Sequence, residues 1–368
     1  ALSKETGDIL LEALSMRRLA IAYVNQYQYS QALPIAERAL RLFREIGDIP
    51  NEVHALNVLA IIKNRLGQID EAEADYLEAL KIAESISNDV GIRWLIWNLS
   101  DIYNWIKGDY TKILVIIEDQ EGKARKNENE SLIIYLKLLK VAQLINLGKY
   151  ETALSLCEVS LPFINDLDEL THGWTLSRMA LLYAELGRFD QANRYLDEAG
   201  ELRSLNQNPF VRAYLKVIAS WTMLIAGDGS NIRWGMEKIE SEISFLRERA
   251  DKVDLGDAMY TKAVMHLALL GEDQPQAEIA LDSIEEALEC YQFEPSRLIM
   301  PEQLHFQHSR ALRVNGREQE ADEKLRQAYE RMMMVAGKIS DDDLRRSYLE
   351  NVRDNREIRA EYLERIGD

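Results

Sequence analysis

One short phrase returns along the chain, and it restricts the fold more than any other feature. Gly67-Gln68-Ile69-Asp70-Glu71-Ala72 reappears as Gly148-Lys149-Tyr150-Glu151-Thr152-Ala153, as Gly187-Arg188-Phe189-Asp190-Gln191-Ala192 and as Gly316-Arg317-Glu318-Gln319-Glu320-Ala321. Weaker copies start at Tyr27, Gly108, Gly227 and Gly271. The eight anchors lie 39 to 45 residues apart. A period of that length belongs to stacked supersecondary units, each burying its apolar face on the next.

Each part of the phrase has a physical role. Glycine at the anchor permits the positive φ that ends one helix and reverses the chain. Two residues on, Tyr29, Ile69, Tyr110, Tyr150 or Phe189 can plug the turn. Ser30, Asp70 and Asp190 are placed to cap the next helix, and Asp70 with Glu73 has capping-box spacing. Small residues recur seven before the anchor (Ala20, Ala60, Ala180, Ser220, Ser309) and twelve after it (Ala39, Ala79, Ser160, Ala199, Ala328). With the Ala of the phrase, they let helices cross closely. Proline is scarce, 7 in 368 residues, so little interrupts a helical chain. Irregularities are expected at Asp228-Gly229-Ser230-Asn231 and Phe293-Glu294-Pro295-Ser296. The charged stretch Asp119–Glu130, which carries Gly122, is expected as an exposed loop or solvated helix end.

These residues resemble the tetratricopeptide repeat, in copies longer than the usual length of about 34 residues. The resemblance implies an all-α fold: a right-handed superhelix (α-solenoid) of about eight helix pairs. It covers residues 1–335 without an internal domain boundary, and 336–368 form a C-terminal capping segment. It also implies a concave groove lined by the first helix of each pair, 13, 10, 6 and 3 residues before the anchor. Those rows place Arg17, His54, Asn57, Asn64, Asn98, Trp105, Tyr135, Trp174, Tyr214, Trp221, Arg310 and Arg313 in the groove. It would be polar at its start, aromatic in its middle and basic near its end. Asn donates and accepts at once, as an extended peptide backbone requires. The aromatic rings offer amphipathic contact area, and Arg310 with Arg313 would fork a carboxylate or phosphate. Aromatic residues at helical spacing also serve as core, and that alternative remains open at this level.

No catalytic constellation stands out. There is no GxxxxGK[ST], HExxH or GxSxG, so the array itself is expected to be no enzyme and to hold no cofactor. His305 and His308 lie three apart but lack a third ligand nearby, so no metal site is expected. Cys157 reads as a buried hydrophobe, and Cys290 has acidic neighbours that disfavour its thiolate. The formal net charge of −18 argues against a nucleic-acid partner. The two cysteines fit a reducing cytoplasm, and no apolar run approaches the length of a membrane span.

The last phrase stands apart. Ser340 or Asp341 can cap a helix whose apolar face is Leu344, Tyr348, Leu349 and Val352, closing the open end of the solenoid. Leu344-Arg345, Ser347-Tyr348-Leu349-Glu350-Asn351-Val352 and Asn355-Arg356-Glu357-Ile358 resemble a tail that ends repeat arrays in bacterial signal-transducing NTPases with numerous domains. Tyr348 and Arg353 depart from the Phe and Pro usual there. The resemblance implies the sensor part of a larger signalling protein, with an NTPase and an effector module before it and a protein or peptide ligand. A free-standing adaptor is the rival reading, and a nucleic-acid or small-molecule sensor a weaker one.

Overall fold

The turn glycines organise the structure as their spacing predicts. Tyr27, Gly67, Gly108, Gly148, Gly187, Gly227 and Gly316 all have positive φ, from 59° to 79°. Each ends one helix and starts the return. The chain is represented by a computed structural model that describes residues 8–164, 169–202, 209–227, 229–249, 252–270, 274–292, 296 and 298–367. Gly271, Asp228 and Phe293-Glu294-Pro295 lie outside the described residues. Among the described residues there are eighteen α-helices and no strand.

The chain divides into two units, 1–107 and 108–368. The first holds α1 (Ile9–Val24), α2 (Tyr29–Ile46), α3 (Ile49–Arg65), α4 (Ile69–Ser85) and α5 (Asp89–Asp101), then a π-helical turn, Ile102–Lys107. The second runs α6 (Tyr110–Lys126), α7 (Glu130–Asn146), α8 (Tyr150–Ile164), α9 (Glu169–Glu185), α10 (Phe189–Glu201), α11 (Pro209–Ala226) and α12 (Gly229–Arg249). It continues with α13 (Lys252–Ala268), α14 (Gln274–Tyr291), α15 (Pro301–Val314), α16 (Glu318–Lys338), α17 (Asp342–Glu350) and α18 (Arg353–Arg365). The division falls at the turn inside the third copy of the repeat.

The small-residue rows form the seams between paired helices. Ala20, Ala60, Ala180, Ser220 and Ser309 are buried, as are Ala39, Ala79, Ser160, Ala199 and Ala328. Where serine replaces alanine, its hydroxyl serves the seam. Ser309 Oγ donates to the Ala321 carbonyl at 2.7 Å, and Ser220 Oγ to that of Gly235 at 3.2 Å. Such burial of a hydroxyl is tolerated because the bond is made.

Two local expectations are corrected and one is narrowed. Ser30, Asp70 and Asp190 are not caps: the helices begin one residue earlier, at Tyr29, Ile69 and Phe189, with no side-chain cap bond at Gln28, Gln68 or Arg188. The turn-plugging residue is itself the first helical residue. Side-chain capping opens four first helices of the pairs and, at Asp109, the second helix α6. Asp8, Asp48, Asn88 and Asn129 accept from Leu11, Asn51, Gly91 and Leu132 N–H groups at 2.9 to 3.2 Å. Second, of the two alternatives for Asp119–Glu130 the charged helix end holds: the stretch is helical as far as Lys126, with Gln120 and Ala124 buried, and only 127–129 turn. Third, the tail forms two helices instead of one. Asp341 caps the first, accepting from Leu344 N–H at 2.8 Å, and Val352 opens the second.

Those two helices do more than close an end. Tyr348 is buried against Tyr110, with ring centroids 5.9 Å apart, and both hydroxyls donate to Glu302 Oε1, at 2.8 and 3.2 Å. Asn351 Nδ2 donates to the Gly148 carbonyl at 3.2 Å. Arg353 pairs with Glu185 at 3.6 Å, and Gln307 Nε2 donates to Asp354 at 3.3 Å. Tyr362 stacks on Tyr329 at 3.8 Å. The tail therefore touches the beginning, middle and end of the second unit.

Candidate recognition surfaces

In the first unit the expected row is assembled in part. Asn57 and Asn98 each lie ten residues before an anchor, and Asn98 Nδ2 donates to Asn57 Oδ1 at 2.8 Å. Both are half-buried, and that bond uses only one of Asn98's donors and one of Asn57's acceptor positions. Arg17, half-buried, donates to Asn51 Oδ1 at 2.7 Å and lies 5.9 Å from the centre of the Phe43 ring. Burial and the neighbouring Arg18 lower its pKa. His54 is exposed, Trp105 is half-buried on the π-helical turn, and Asn64 is buried.

The rows counted back from the anchors missed one residue. Trp94 is 63% exposed, the most open large apolar side chain among those described. It lies one helical turn before Asn98. The cap spacing Asp48 to Asn88 is 40, whereas the anchor spacing Gly67 to Gly108 is 41. The extra residue is absorbed in the π-helical turn at Ile102–Lys107, where each bond spans one residue more. Counting from the anchor therefore lands on Leu95, which is fully buried, while counting from the cap aligns Trp94 with His54. The mismatch of the two spacings was the available signal.

In the second unit most of the expected row is already engaged. Trp221 Nε1 donates to Thr261 Oγ1 at 2.9 Å, and its ring stacks on Tyr260 at 5.8 Å. Trp174 and Tyr214 are half-buried with centroids 6.3 Å apart, and Tyr135 is half-buried. Arg310 pairs with Glu357 of the tail at 3.2 Å. Arg313 is 11% exposed and faces Asp322 at 2.7 Å, Glu318 at 3.6 Å and Glu361 at 3.7 Å. The expected basic end is thus neutralised by the chain's own acids, which the row pattern on α15 alone could not reveal.

The remaining candidates are structural. Burial pushes the Cys157 thiol up to about 12 and the Cys290 thiol up to about 11. His305 and His308 are held down to about 4, first by burial and then by Lys324. No metal-binding cluster exists among the described residues. Nor is any helix among them long and apolar enough to cross a membrane.

Comparison with known proteins follows this geometry. The tetratricopeptide repeat family model matches residues 13–46 and 53–89, the α1–α2 and α3–α4 pairs. Those two segments carry the tetratricopeptide repeat pattern. Both matched segments lie in the first unit. Among solved structures, a monomeric mutant of IFIT1 with Gppp-AAAA is 15% identical at a TM-score of 0.51, over 95% of this chain and 80% of that one. A tetratricopeptide repeat protein from Parabacteroides merdae is 13% identical at 0.38, over 93% and 99%. A signal transduction ATPase with numerous domains, bearing a tetratricopeptide repeat sensor, from Pyrococcus horikoshii is 14% identical at 0.45. There the match covers 91% of this chain but 47% of the other. No curated protein sequence matches the chain. Tetratricopeptide repeats generally mediate protein–protein interaction and are generally non-catalytic.

Proposed function

We propose that the chain recognises an extended peptide or a partner helix through the first helices of its first unit. The observation that carries this is the bonded Asn57–Asn98 pair beside exposed His54 and Trp94. It combines backbone-matching amide groups with a rigid aromatic contact. The second unit's counterpart residues are turned to its own tail and neighbours.

The test begins with selection of displayed random peptides on the whole chain. Selected peptides are then measured against Asn57→Ala with Asn98→Ala, and separately against Trp94→Ala. Affinity should fall by at least about tenfold, roughly 1.4 kcal/mol. Unchanged affinity in both variants would place recognition elsewhere.

The wider role follows from the tail phrase. Its likeness to the tails of signalling NTPases supports a sensor part of a larger cytoplasmic signalling protein, in which ligand binding favours one state of an attached module. An upstream NTPase module in the encoding frame would support this reading, and a free-standing frame would favour an adaptor. Nucleotide turnover by this chain alone would contradict its non-enzymatic assignment.

A further inference from the structure

A cavity of about 260 Å³ lies inside the second unit, between the tail and the helices it touches. Its apolar wall includes Ile145, Leu181, Ile218, Leu224, Val264 and Leu267. Three side chains in its lining, Glu302, Gln307 and Asn355, are no more than 3% exposed. Each has an oxygen that accepts no hydrogen bond among the described residues: Glu302 Oε2, Gln307 Oε1 and Asn355 Oδ1. The donor halves of the two amides are spent. Gln307 Nε2 donates to Asp354 at 3.3 Å and Asn355 Nδ2 to the Tyr348 carbonyl at 2.9 Å. Neither amide can flip to relieve its oxygen without losing its own bond.

The charged groups of the lining have the same bias. It contains four carboxyl groups, Glu185, Glu302, Asp354 and Glu357, against two guanidinium groups, Arg310 and Arg353. Both guanidinium groups are committed, to Glu357 and Glu185. Arg331, behind Glu302, approaches Oε2 only to 3.9 Å. The Trp221 indole and the two tyrosine hydroxyls at Glu302 already donate to acceptors. An entering molecule thus meets buried acceptors, more carboxyl than guanidinium groups and an apolar wall. Each buried acceptor left without a donor costs about 1–3 kcal/mol, so a ligand that donates to several of them is favoured over one that accepts. An anion would meet the carboxylates, and a pure hydrocarbon would leave the oxygens bare.

We propose that this cavity is a binding site for a small aliphatic amine. Its ammonium group donates to Glu302, Gln307 and Asn355, and its carbon chain lies on the apolar wall. An ammonium carries three donors and a positive charge on a compact head, which suits this set of oxygens. Because Asn355 belongs to the tail and Gln307 to α15, the bound amine also fastens the tail to the repeats. The inference is independent of the peptide reading, which rests on the first unit.

The experiment is calorimetric titration of the whole chain with n-pentylamine and with 1,5-diaminopentane at neutral pH. Pentan-1-ol and pentanoate serve as neutral and anionic counterparts. The expected result is saturable one-to-one binding of at least one amine, about tenfold or more tighter than pentan-1-ol, with no binding of pentanoate. Gln307→Leu should weaken the amine by about fivefold or more, within the range for one lost charge-assisted bond. Trp94→Ala should leave it unchanged. If Gln307→Leu does not fold, the contrast between amine and alcohol on the unaltered chain decides alone. Absence of saturation by both amines at 10 mM, equal binding of the alcohol, or preference for pentanoate would each overturn the assignment.

Discussion

The two units share a repeat and use it differently. In the first, side chains on the first helices stay half-open or exposed, and Asn57 and Asn98 bond to each other across consecutive copies. In the second, the comparable side chains are consumed from within, by Thr261 and Tyr260 at Trp221 and by the tail at Arg310 and Arg313. The same helix-pair design therefore leaves a partly open row of side chains in one region and a row engaged from within in the other. What decides between them is whether the chain supplies its own occupant.

The sharpest way to break this comparison is to remove the occupant's anchor. Tyr348→Ala takes away a buried ring and leaves Glu302 with one tyrosine hydroxyl in place of two. A loss of about 3–5 kcal/mol is expected in urea unfolding. A loss below 1 kcal/mol would mean that the tail is not integral to the second unit.

A pair of glycines sharpens it next. A Cβ on Gly148 would meet Asn351 Cβ and the Ser347 carbonyl at 2.8 Å, whereas one on Gly67 would meet nothing within 4 Å. Both have positive φ, 69° and 79°. Gly67→Ala should cost only the backbone penalty, about 1–2 kcal/mol. Gly148→Ala should cost about 2–4 kcal/mol, because overpacking against the tail is added. Equal losses by thermal and urea unfolding would contradict the tail's position.

Acid and base in the second unit pull stability in opposite directions. Burial, then Glu357, raises the Asp354 carboxyl to about 7 from 3.8. Its folded form holds a proton that the unfolded form releases, so its contribution is full below 3.8 and is lost as pH rises to about 7. His305 and His308 are depressed to about 4 from 6.5, so their contributions are lost as pH falls through that window. Burial also lowers His266 and raises Glu185, so three histidines oppose two carboxyl groups, and urea midpoints should rise between pH 4 and 6.5. Asp354→Asn should steepen the rise and His308→Gln should flatten it. A variant slope that moves the other way would overturn these assignments.

The smallest expected effect is on the first unit's surface. Arg44 bridges Glu52 at 2.7 Å and Glu78 at 2.6 Å, yet it is 43% exposed. Arg44→Ala should cost no more than about 1 kcal/mol, and less in high salt. A larger loss would make the first unit as dependent on ion pairing as the tail region.

Much of the fold was legible in the sequence, because a repeat is a local statement. The anchors place the positive φ, and the small residues around them mark the seams, as Ala20, Ala60, Ala79 and Ala199 show. The candidate site was less legible. Asn57 and Asn98 were found because each lies ten residues before an anchor, while Trp94 was hidden by one residue taken up in a π-helical turn. Arg310 and Arg313 looked available because nothing on their own helix tells that Glu357 and Glu361 will reach them.

By itself the sequence determined the helices, their turns and the pairing of neighbours, since those depend on residues within one copy or the next. Only the tertiary structure decided where the tail goes and which side chains remain open. The bonds that settle it join Tyr110 to Glu302 and Asn351 to Gly148, 192 and 203 residues apart. Over such separations no periodic pattern specifies a partner. Contact is set by shape and by which buried polar groups can be satisfied, and the cavity at Glu302, Gln307 and Asn355 is one place where that satisfaction stops short.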